Sequence, residues 1–494
     1  MKTVRHLVVS ALLLASVPSF AVMHDTDPRA MALGQAYTAL ARGAEAVFWN
    51  PANLALSDSP KFSWNLAGVG VALITENNSF SISTYNDNFT ESNDSVSPTR
   101  GTKYFISDQD KDDILSDIPG EGLKMNVEMD PFLAVGIPIL NGGVAFPMPW
   151  GVKSAVAIGF STGFEGEIPK DVVEIFLRGN EFDFAREQAD RSPNYDISDW
   201  DGSGWALGSL NIAGAKALMP AQLKPYLSEF TVGATLKFVV GAYGEVVKSG
   251  GTGLISRLEG IDVDMFVLTQ NGGGGGVGLD FGVAGVSKNR KITGSIGVLN
   301  LLDAYSWGTS VRQDSIFVTA RDLRVTRFMD PDQQNIEEVL DNPKECTGPN
   351  DPTGVEYSQD CTGDVVFQDK QGEESFSRSL PAMLRIGGAY RLMPKLTLVG
   401  NYDQAFTDGF GITSTPRLSA GAEYRLVQWF SSRGGVSLGG RSNSSSIGIA
   451  FGPFKVWHTQ LELMDLALVT RGGVFPGVSK GTAISLQLFR FSLI

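Results

Sequence analysis

A two-residue alternation of apolar and polar side chains constrains this chain more than any other feature. It is clearest between residues 382 and 451, where one segment after another repeats it. Successive side chains of a β-strand point to opposite faces, whereas a helix would scatter these apolar positions around its surface. A ribbon of this kind can present one face to lipid and the other to a polar interior. The apolar positions of the first segments are Leu384, Ile386, Gly388, Tyr390, Leu392, Leu396, Leu398, Gly400, Tyr402, Leu418, Ala420, Ala422, Tyr424 and Leu426.

The first residues predict export. Lys2 and Arg5 are basic, residues 7–17 are apolar but too few to span a bilayer, and a small-residue cleavage site ends at Ala21. We therefore predict a signal peptide at residues 1–21 and an exported protein of the cell outer membrane. No later run approaches 18 uninterrupted apolar residues, which disfavours a helical membrane protein.

The charge narrows the expected surroundings. The formal net charge is −14, and loss of the two basic residues of the signal leaves 38 basic against 54 acidic residues, or −16. Such acidity disfavours nucleic acid as a partner. It suits an outer surface on which divalent cations bridge acidic loops and anionic head groups, so we expect contact with outer-membrane lipid and lipopolysaccharide.

Strand candidates follow each other along residues 63–494 with short and long connections in alternation. Outer-membrane barrels have an even number of strands, short inner turns and long outer loops. Fifteen strand candidates are visible, which is an odd number. We expect fourteen strands, because the candidate at 63–71 can either belong to the segment that precedes it or merge with the next candidate, at 79–86. The predicted fold class is an all-β transmembrane antiparallel barrel. Its long loops are predicted at 87–130, 163–203, 245–276 and 300–381.

Two of these loops carry helical signals. Residues 107–118 are typical of a capped helix with acidic residues in its first turn, and residues 169–178 of a short helix over the barrel mouth. A calcium loop built on Asp108, Asp110 and Asp112 is the alternative for the first, but the glycine and distant glutamate of an EF-hand are missing. We therefore predict no metal site.

The only two cysteines, Cys346 and Cys361, lie in a polar insert rich in Asp, Gly and Pro. In an oxidising compartment such a pair favours one disulfide that closes a loop, contributing roughly 3 kcal/mol on the loop-entropy model. A metal site would need further ligands, and no His or third Cys lies nearby.

The segment from Asp27 to Leu54, DPRAMALGQAYTALARGAEAVFWNPANL, is rich in Ala and Gly and closes on Trp-Asn-Pro-Ala. It resembles the N-terminal plug, or hatch, of the FadL-type outer-membrane transporters for long-chain fatty acids and other hydrophobic compounds. That superfamily also contains PorV-like secretion components, and the Leu-Gly-x-Ala-Tyr-Thr-Ala opening is most similar to its uncharacterised members. The resemblance implies a fourteen-stranded barrel, residues 63–494, whose interior holds a hatch formed by residues 22–62.

Within the hatch, Asn50, Pro51 and Ala52 form the most specific motif. Asn50 can cap or turn the chain, Pro51 fixes the local backbone and Ala52 leaves space. The motif either anchors the hatch or contacts a ligand, and the sequence leaves both open.

Charged residues on the alternate face of the strands cannot comfortably face lipid, where an Arg or Lys at mid-depth costs roughly 2 to 4 kcal/mol. They are expected to line the lumen or its rims. There they can pair with each other and with the hatch, or hold the carboxylate of an amphiphilic solute. The candidate lumen-facing charges are Arg385, Arg391, Arg417, Glu423 and Arg425.

The function predicted from these features is passive transport of a hydrophobic or amphiphilic small molecule, such as a long-chain fatty acid, with release through a shift of the hatch or a gap in the wall. Pro138 and the following Gly142 and Gly143 mark a place where strand pairing could break. The alternative is a PorV-like assembly partner whose acidic insert, residues 300–381, holds exported proteins.

An enzyme is not expected, and no cofactor is implied. Of three His, one lies in the signal, and a hydrolase would need His458 beside a serine and a carboxylate in the wall, with no nucleophile motif to supply it. The glycine run Gly272–Gly276 lacks the lysine of a phosphate loop, so we interpret it as a flexible segment. The chain ends without the usual terminal aromatic residue, and Phe489 and Phe491 are the expected substitutes for recognition by the barrel-assembly machinery.

Overall fold

A computed structural model describes residues 26–85, 108–178, 194–256, 261–302, 304–323, 365–370, 376–473 and 478–494. The predicted signal peptide at 1–21 lies outside these residues, and so do Cys346 and Cys361. The predicted cleavage site and disulfide therefore stay predictions.

Fourteen antiparallel strands close into one barrel, which confirms the predicted fold class. The first strand pairs with the second on one side and with the last on the other, and each intervening strand pairs with its two neighbours. The long connections lie at one end, here called the outer end, and the tight turns at the inner end. The strands are β1 Ser63–Asn77, β2 Leu123–Val135, β3 Val152–Ile168, β4 Asp201–Ala217, β5 Leu227–Ser256, β6 Ile261–Ser287, β7 Ile292–Leu299, β8 Met383–Met393, β9 Leu396–Ala405, β10 Arg417–Val427, β11 Phe430–Gly439, β12 Ser444–Phe451, β13 Met464–Arg471 and β14 Gly481–Leu493.

The alternation in the sequence becomes the two faces of the wall. Leu418 and Ile447 are 59% and 65% exposed on the outside, whereas their neighbours Ser419 and Ser446 are buried inside. The same holds for large apolar residues on most strands. The outside of the barrel is thus an apolar surface of the kind that hydrocarbon covers. No helix in the described ranges is long and apolar enough to cross a membrane.

The strand predicted at 79–86 is wrong. The side chain of Asn77 accepts hydrogen bonds from the backbone amides of Ser79 and Phe80, and these turn the chain out of the sheet into a short helix, Ile82–Tyr85. Asn side chains compete with strand pairing in this way. The count of fourteen was right for the wrong reason, because the 63–71 candidate is part of β1.

The glycine run is also not the flexible segment that was predicted. Residues Gly272–Gly276 lie inside β6, paired with β5 on one side and with the strand Ala304–Leu323 on the other. A Cβ atom on Gly275 would lie 2.0 Å from the carbonyl oxygen of Val239. Glycine is needed here because the neighbouring backbones approach closely. Most of the loop predicted at 245–276 is therefore a long outer hairpin.

Both predicted loop helices are confirmed, as the helices Asp108–Asp117 and Lys170–Arg178. They pack together through Leu115, Ile118 and Leu177, and Arg178 forms ion pairs with Asp112 and Glu174. Within the described ranges, no group of His, Cys, Asp and Glu is arranged to hold a metal.

Candidate functional site

Residues 26–62, here called the plug segment, lie inside the barrel. The segment consists of helices α1, Pro28–Ala32, and α2, Ala46–Trp49, with 3-10 turns at Gly43–Glu45 and Pro51–Ala55. Almost every side chain before residue 57 is buried. The wall accommodates it through glycines: a Cβ on Gly435 would lie 2.2 Å from the carbonyl carbon of Leu33, and one on Gly448 would lie 2.4 Å from the Cβ of Ala32. Small residues on both sides allow this close packing.

The Asn50 motif joins the plug segment to the wall. The Asn50 Nδ2 donates to the Ser295 hydroxyl at 2.7 Å and to the carbonyl oxygens of Ile296 at 2.9 Å and Val283 at 3.1 Å, while Oδ1 accepts from the Ala52 amide at 2.9 Å. Its side chain is fully buried. Every polar atom of the Asn50 amide is thus used to cap a turn and to bond two strands.

A chain of ion pairs, buried apart from the partly exposed Arg29, fixes the other end of the plug segment. Arg29 binds Glu423 of β10 through two bonds of 2.7 and 3.0 Å, and Glu423 also accepts from Arg433 at 3.1 Å. Arg433 continues to Asp465 at 2.6 Å. Buried charges persist only when they are paired in this way. The arrangement places Glu423 at the centre of a network rather than facing open lumen.

The other predicted lumen charges fall into two groups. Arg385 is fully buried, with its guanidinium 4.6 Å from the ring centre of Trp49 and 3.5 Å from the carboxylate of Asp403. Arg417 binds the same carboxylate at 2.8 Å and also contacts Gln35. In contrast, the side chains of Arg391 and Arg425 are exposed near the inner ends of β8 and β10.

A cavity of about 120 Å³, here called the lumen cavity, lies between the plug segment and the outer loops. Its floor includes Thr26, Met31 and Gln35, and its roof is formed by the loop between β9 and β10. Charges of both signs line its wall: Glu128, Asp130, Asp403, Arg417, Arg441 and Arg471. Such a lining can hold water or the polar end of an amphiphile.

Towards the outer end lies a cluster of aromatic rings, here called the aromatic chamber. It consists of Trp205, Tyr243, Trp307, Phe376 and Phe410, and four of the five are at least nine-tenths buried. The ring centres of Tyr243 and Trp307 are 5.7 Å apart, and those of Trp307 and Phe376 are 6.5 Å apart and nearly parallel. Phe410 lines both the chamber and the lumen cavity.

The loop that carries Phe410 is held by Asp408. The Asp408 carboxylate accepts from the Ser414 amide at 2.7 Å and from the Ser414 hydroxyl at 3.1 Å. The hydrogen bond from the Ser414 backbone lowers the pKa of Asp408 below its usual value. The carboxylate is therefore the form that holds the loop together.

The wall is interrupted between β2 and β3. The two strands pair from Leu123–Ile168 to Met129–Thr162, and the next two positions in this register, Asp130 with Ser161 and Pro131 with Phe160, are not paired. Pro131 has no amide hydrogen to donate, so the ladder cannot continue there. Instead, the Asn141 side chain donates to the carbonyl oxygens of Pro131 and Phe160 and accepts from the Phe160 amide.

Beyond this point β2 turns back on itself. The short strand Ile137–Leu140, which contains Pro138, pairs with β2, and the strand Gly142–Pro147 then pairs with β3. The break therefore lies beside Pro131 and Asn141, whereas Pro138, Gly142 and Gly143, where the sequence had indicated it, are paired in these short strands. A smaller cavity, here called the kink cavity, lies beside it and is lined by Asp130, Phe132 and Asn141, among others.

Several residues of the site were not predicted. Asn141 could have been suspected from the prolines on either side of it, and Phe410 from its position between two glycines. Arg29 and Glu45 gave no signal, because their partners Glu423 and Arg490 are hundreds of residues away. His458 is exposed at the turn between the strands Phe454–Val456 and Thr459–Glu462, not within the barrel wall as a hydrolase would require.

Comparison with known proteins adds a likeness in architecture. No model of a known protein family matches the sequence, and no curated protein matches it either. Among solved structures, the chain is similar to a FadL homologue of Pseudomonas aeruginosa, with 11% sequence identity, 96% of this chain and 98% of that chain covered, and a TM-score of 0.48. It is similar to the CymD monoaromatic hydrocarbon channel with 11% identity, 95% of this chain and 97% of that chain covered, and a TM-score of 0.47. It is also similar to the toluene transporter TodX of Pseudomonas putida, with 8% identity, 96% of this chain and 98% of that chain covered, and a TM-score of 0.45. At these values the likeness describes overall architecture alone.

Proposed function

We propose that the protein is a passive channel of a bacterial outer membrane for hydrophobic or amphiphilic small molecules. Long-chain fatty acids and small hydrocarbons are the substrates to test. A molecule would enter among the outer loops, pass the aromatic chamber into the lumen cavity, and leave sideways through the break between β2 and β3.

One observation carries this proposal: the two cavities meet at the break in the wall. Thr26 and Asp130 line both of them, and the Thr26 hydroxyl donates to the Asp130 carboxylate at 2.8 Å. The boundary between lumen cavity and kink cavity therefore includes one hydrogen bond between side chains. At the break itself, Asn141 side-chain bonds stand in for strand pairing.

The plug segment supports a sideways exit. Its bonds to the wall are made at two separate places, by Asn50 to β6 and β7 and by Arg29 to β10. Passage beneath the plug would require both to break, whereas passage at the kink requires neither.

The experiment measures uptake of a labelled single-ring hydrocarbon and a labelled fatty acid into vesicles containing the purified barrel. Ser161 is the first residue of β3 that is not paired with β2 at the break, and it lines the lumen cavity. Ser161→Trp should fill this part of the route and remove most of the uptake. Ser154→Trp, on the alternate face of the same strand, is the matched control and should behave as wild type. Barrel formation is checked by the heat-dependent shift in gel mobility.

The outcomes separate the parts of the proposal. Vesicles that admit neither compound contradict the channel function. Uptake that is the same in wild type and Ser161→Trp contradicts the sideways route and leaves movement of the plug segment as the exit.

The alternative of a PorV-like assembly partner rests on the insert at 300–381, most of which lies outside the described residues. It stays a sequence prediction, and cross-linking in whole cells would test it by capture of a stable protein partner.

A further inference from the structure

The backbone that carries Phe410 is unusual. Gly409, Phe410 and Gly411 have φ values of +137°, +53° and +76°, and Gly409 also pairs with Ile412 in an isolated bridge. A bulky residue at positive φ is strained and persists only where its surroundings hold it there. The neighbouring loop residue Phe406 is 61% exposed, whereas Phe410 is 8% exposed. The tight turn therefore directs one particular ring into the barrel.

The ring of Phe410 is surrounded in the way that a bound aromatic molecule would be. Its centre lies 4.8 Å from that of Tyr243, 6.1 Å from Trp205 and 6.3 Å from Trp307, with interplanar angles of 44°, 71° and 30°. These distances fall in the range of favourable aromatic pairs. The three partners come from β4, β5 and the strand Ala304–Leu323, so the fold holds the cage independently of the loop.

Two of the three cage residues have their polar atoms engaged elsewhere. The Tyr243 hydroxyl donates to Glu245 at 3.1 Å, and the Trp307 indole nitrogen donates to the carbonyl oxygen of Arg378 at 3.0 Å. What these two residues offer an occupant is thus the faces and edges of their rings. That lining suits a neutral, flat, apolar ring better than an alkyl chain or a polar solute.

We propose that Phe410 is a built-in occupant of a binding site for single-ring aromatic hydrocarbons, which an incoming ring takes by displacing it. Because the inference assigns a substrate class and an entry gate to the proposed channel, it rests on that function. Displacement of the ring would also join the aromatic chamber to the lumen cavity, since Phe410 lies between them. The flanking glycines allow the loop to turn without steric cost from a side chain.

An occupied site binds an external ligand more weakly, in proportion to the fraction of molecules in which the site is free. Phe410→Ala should therefore raise the affinity for a single ring. It should also leave an apolar space of the kind that binds benzene, for which a cavity on the order of 150 Å³ suffices in a protein core.

The test is binding of fluorobenzene to the purified barrel in detergent, measured by ¹⁹F NMR, with fluorocyclohexane as the non-aromatic ring. Phe410→Ala should bind fluorobenzene at least about tenfold more tightly than wild type, which corresponds to a site free less than about a tenth of the time. Phe406→Ala, in the same loop, should bind fluorobenzene with the affinity of wild type. Phe410→Ala should raise the affinity for fluorocyclohexane less than it raises the affinity for fluorobenzene. Partition into detergent is common to all variants and cancels in the comparison.

A second variant displaces the ring without removing it. A Cβ on Gly411 would lie 2.8 Å from the Glu128 carboxylate and 3.0 Å from the Trp205 ring, and φ at this position disfavours any side chain. Gly411→Ala should therefore push the turn outward and raise fluorobenzene affinity in the same direction. It also keeps the proposal testable if Phe410→Ala does not form a barrel.

The proposal is overturned if Phe410→Ala and Gly411→Ala form barrels but bind fluorobenzene no more tightly than wild type, or if only one of them forms a barrel and that one shows no gain. It is also overturned if Phe406→Ala gains as much affinity as Phe410→Ala. Equal gains for fluorobenzene and fluorocyclohexane overturn the aromatic preference. If the variants gain affinity but no barrel admits hydrocarbon into vesicles, the binding site stands and the channel function fails. If wild type takes up hydrocarbon but the variants show no gain in affinity, the channel function stands and the proposed role of Phe410 as an entry gate fails.

Discussion

The plug segment and the aromatic chamber fill the two ends of one lumen by different physical means. The plug segment is one stretch of chain held by directional contacts, such as the four hydrogen bonds of Asn50 and the ion pairs of Glu423. The chamber gathers rings from several distant segments and contacts the ring of Phe410 by packing, while the loop behind that ring is held by the hydrogen bonds of Asp408. Directional networks are costly to break in part, because a remaining partner is left buried and unsatisfied. Ring packing can be exchanged for another ring. The difference indicates which end of the lumen is fixed and which can open.

The largest effect is expected at the centre of the ion-pair network. Glu423→Ala leaves Arg29 without its two carboxylate bonds and weakens the hold on Arg433, which should lower the stability of the folded barrel by about 3 to 5 kcal/mol. Urea unfolding in detergent, followed by tryptophan fluorescence, measures this. Arg425→Ala is the control: Arg425 lies 3.4 Å from the same carboxylate but its side chain is 56% exposed. Its effect should be at most about 1 kcal/mol. Equal effects of the two variants would contradict a buried network.

A smaller loss is expected at the hatch motif. Asn50→Ala removes four bonds and leaves the carbonyl oxygens of Val283 and Ile296 without their side-chain partner, at a cost of about 1 to 3 kcal/mol. The plug segment should then become more open to proteolysis, while the chamber keeps its affinity for fluorobenzene. Pro51→Ala, which keeps every one of these bonds, should change protection far less. A change in ring binding with Asn50→Ala would show that the two ends are not independent.

The smallest effect is expected from acid acting on the loop of Phe410. Since the folded loop lowers the pKa of Asp408, its carboxylate contributes stability above the ordinary aspartate value and loses it as pH falls through the lowered one. The affinity of wild type for fluorobenzene should therefore increase by a small amount as the pH falls below about 3.9. Asp408→Ala should show the gain already at neutral pH and no such acid dependence. A flat profile in wild type would mean that Asp408 does not hold the gate.

Sequence reasoning succeeded where the relevant information is local. The alternation around Leu418 and Ser419 sets which side of a strand is apolar, whatever the strand pairs with. The helix at 108–117 follows likewise from neighbouring residues. Sequence reasoning failed where contacts with distant residues or a side-chain hydrogen bond override the local conformational preference. Gly272–Gly276 resembles a flexible loop until the backbones on both sides are in place, and 79–86 resembles a strand until the Asn77 side chain turns the chain.

By itself, then, the sequence determined the class of fold and the face of each residue, since a two-residue period has the same meaning in every strand. It also indicated a break in this part of the wall at Pro138, but the ladder ends at Pro131, whose missing amide hydrogen cannot continue it, and Pro138 itself is paired. Only the tertiary structure decided which charges meet, which glycines admit the plug segment, and that Phe410 lies among Trp205, Tyr243 and Trp307. These contacts join residues up to several hundred positions apart, and closure of the barrel brings them together.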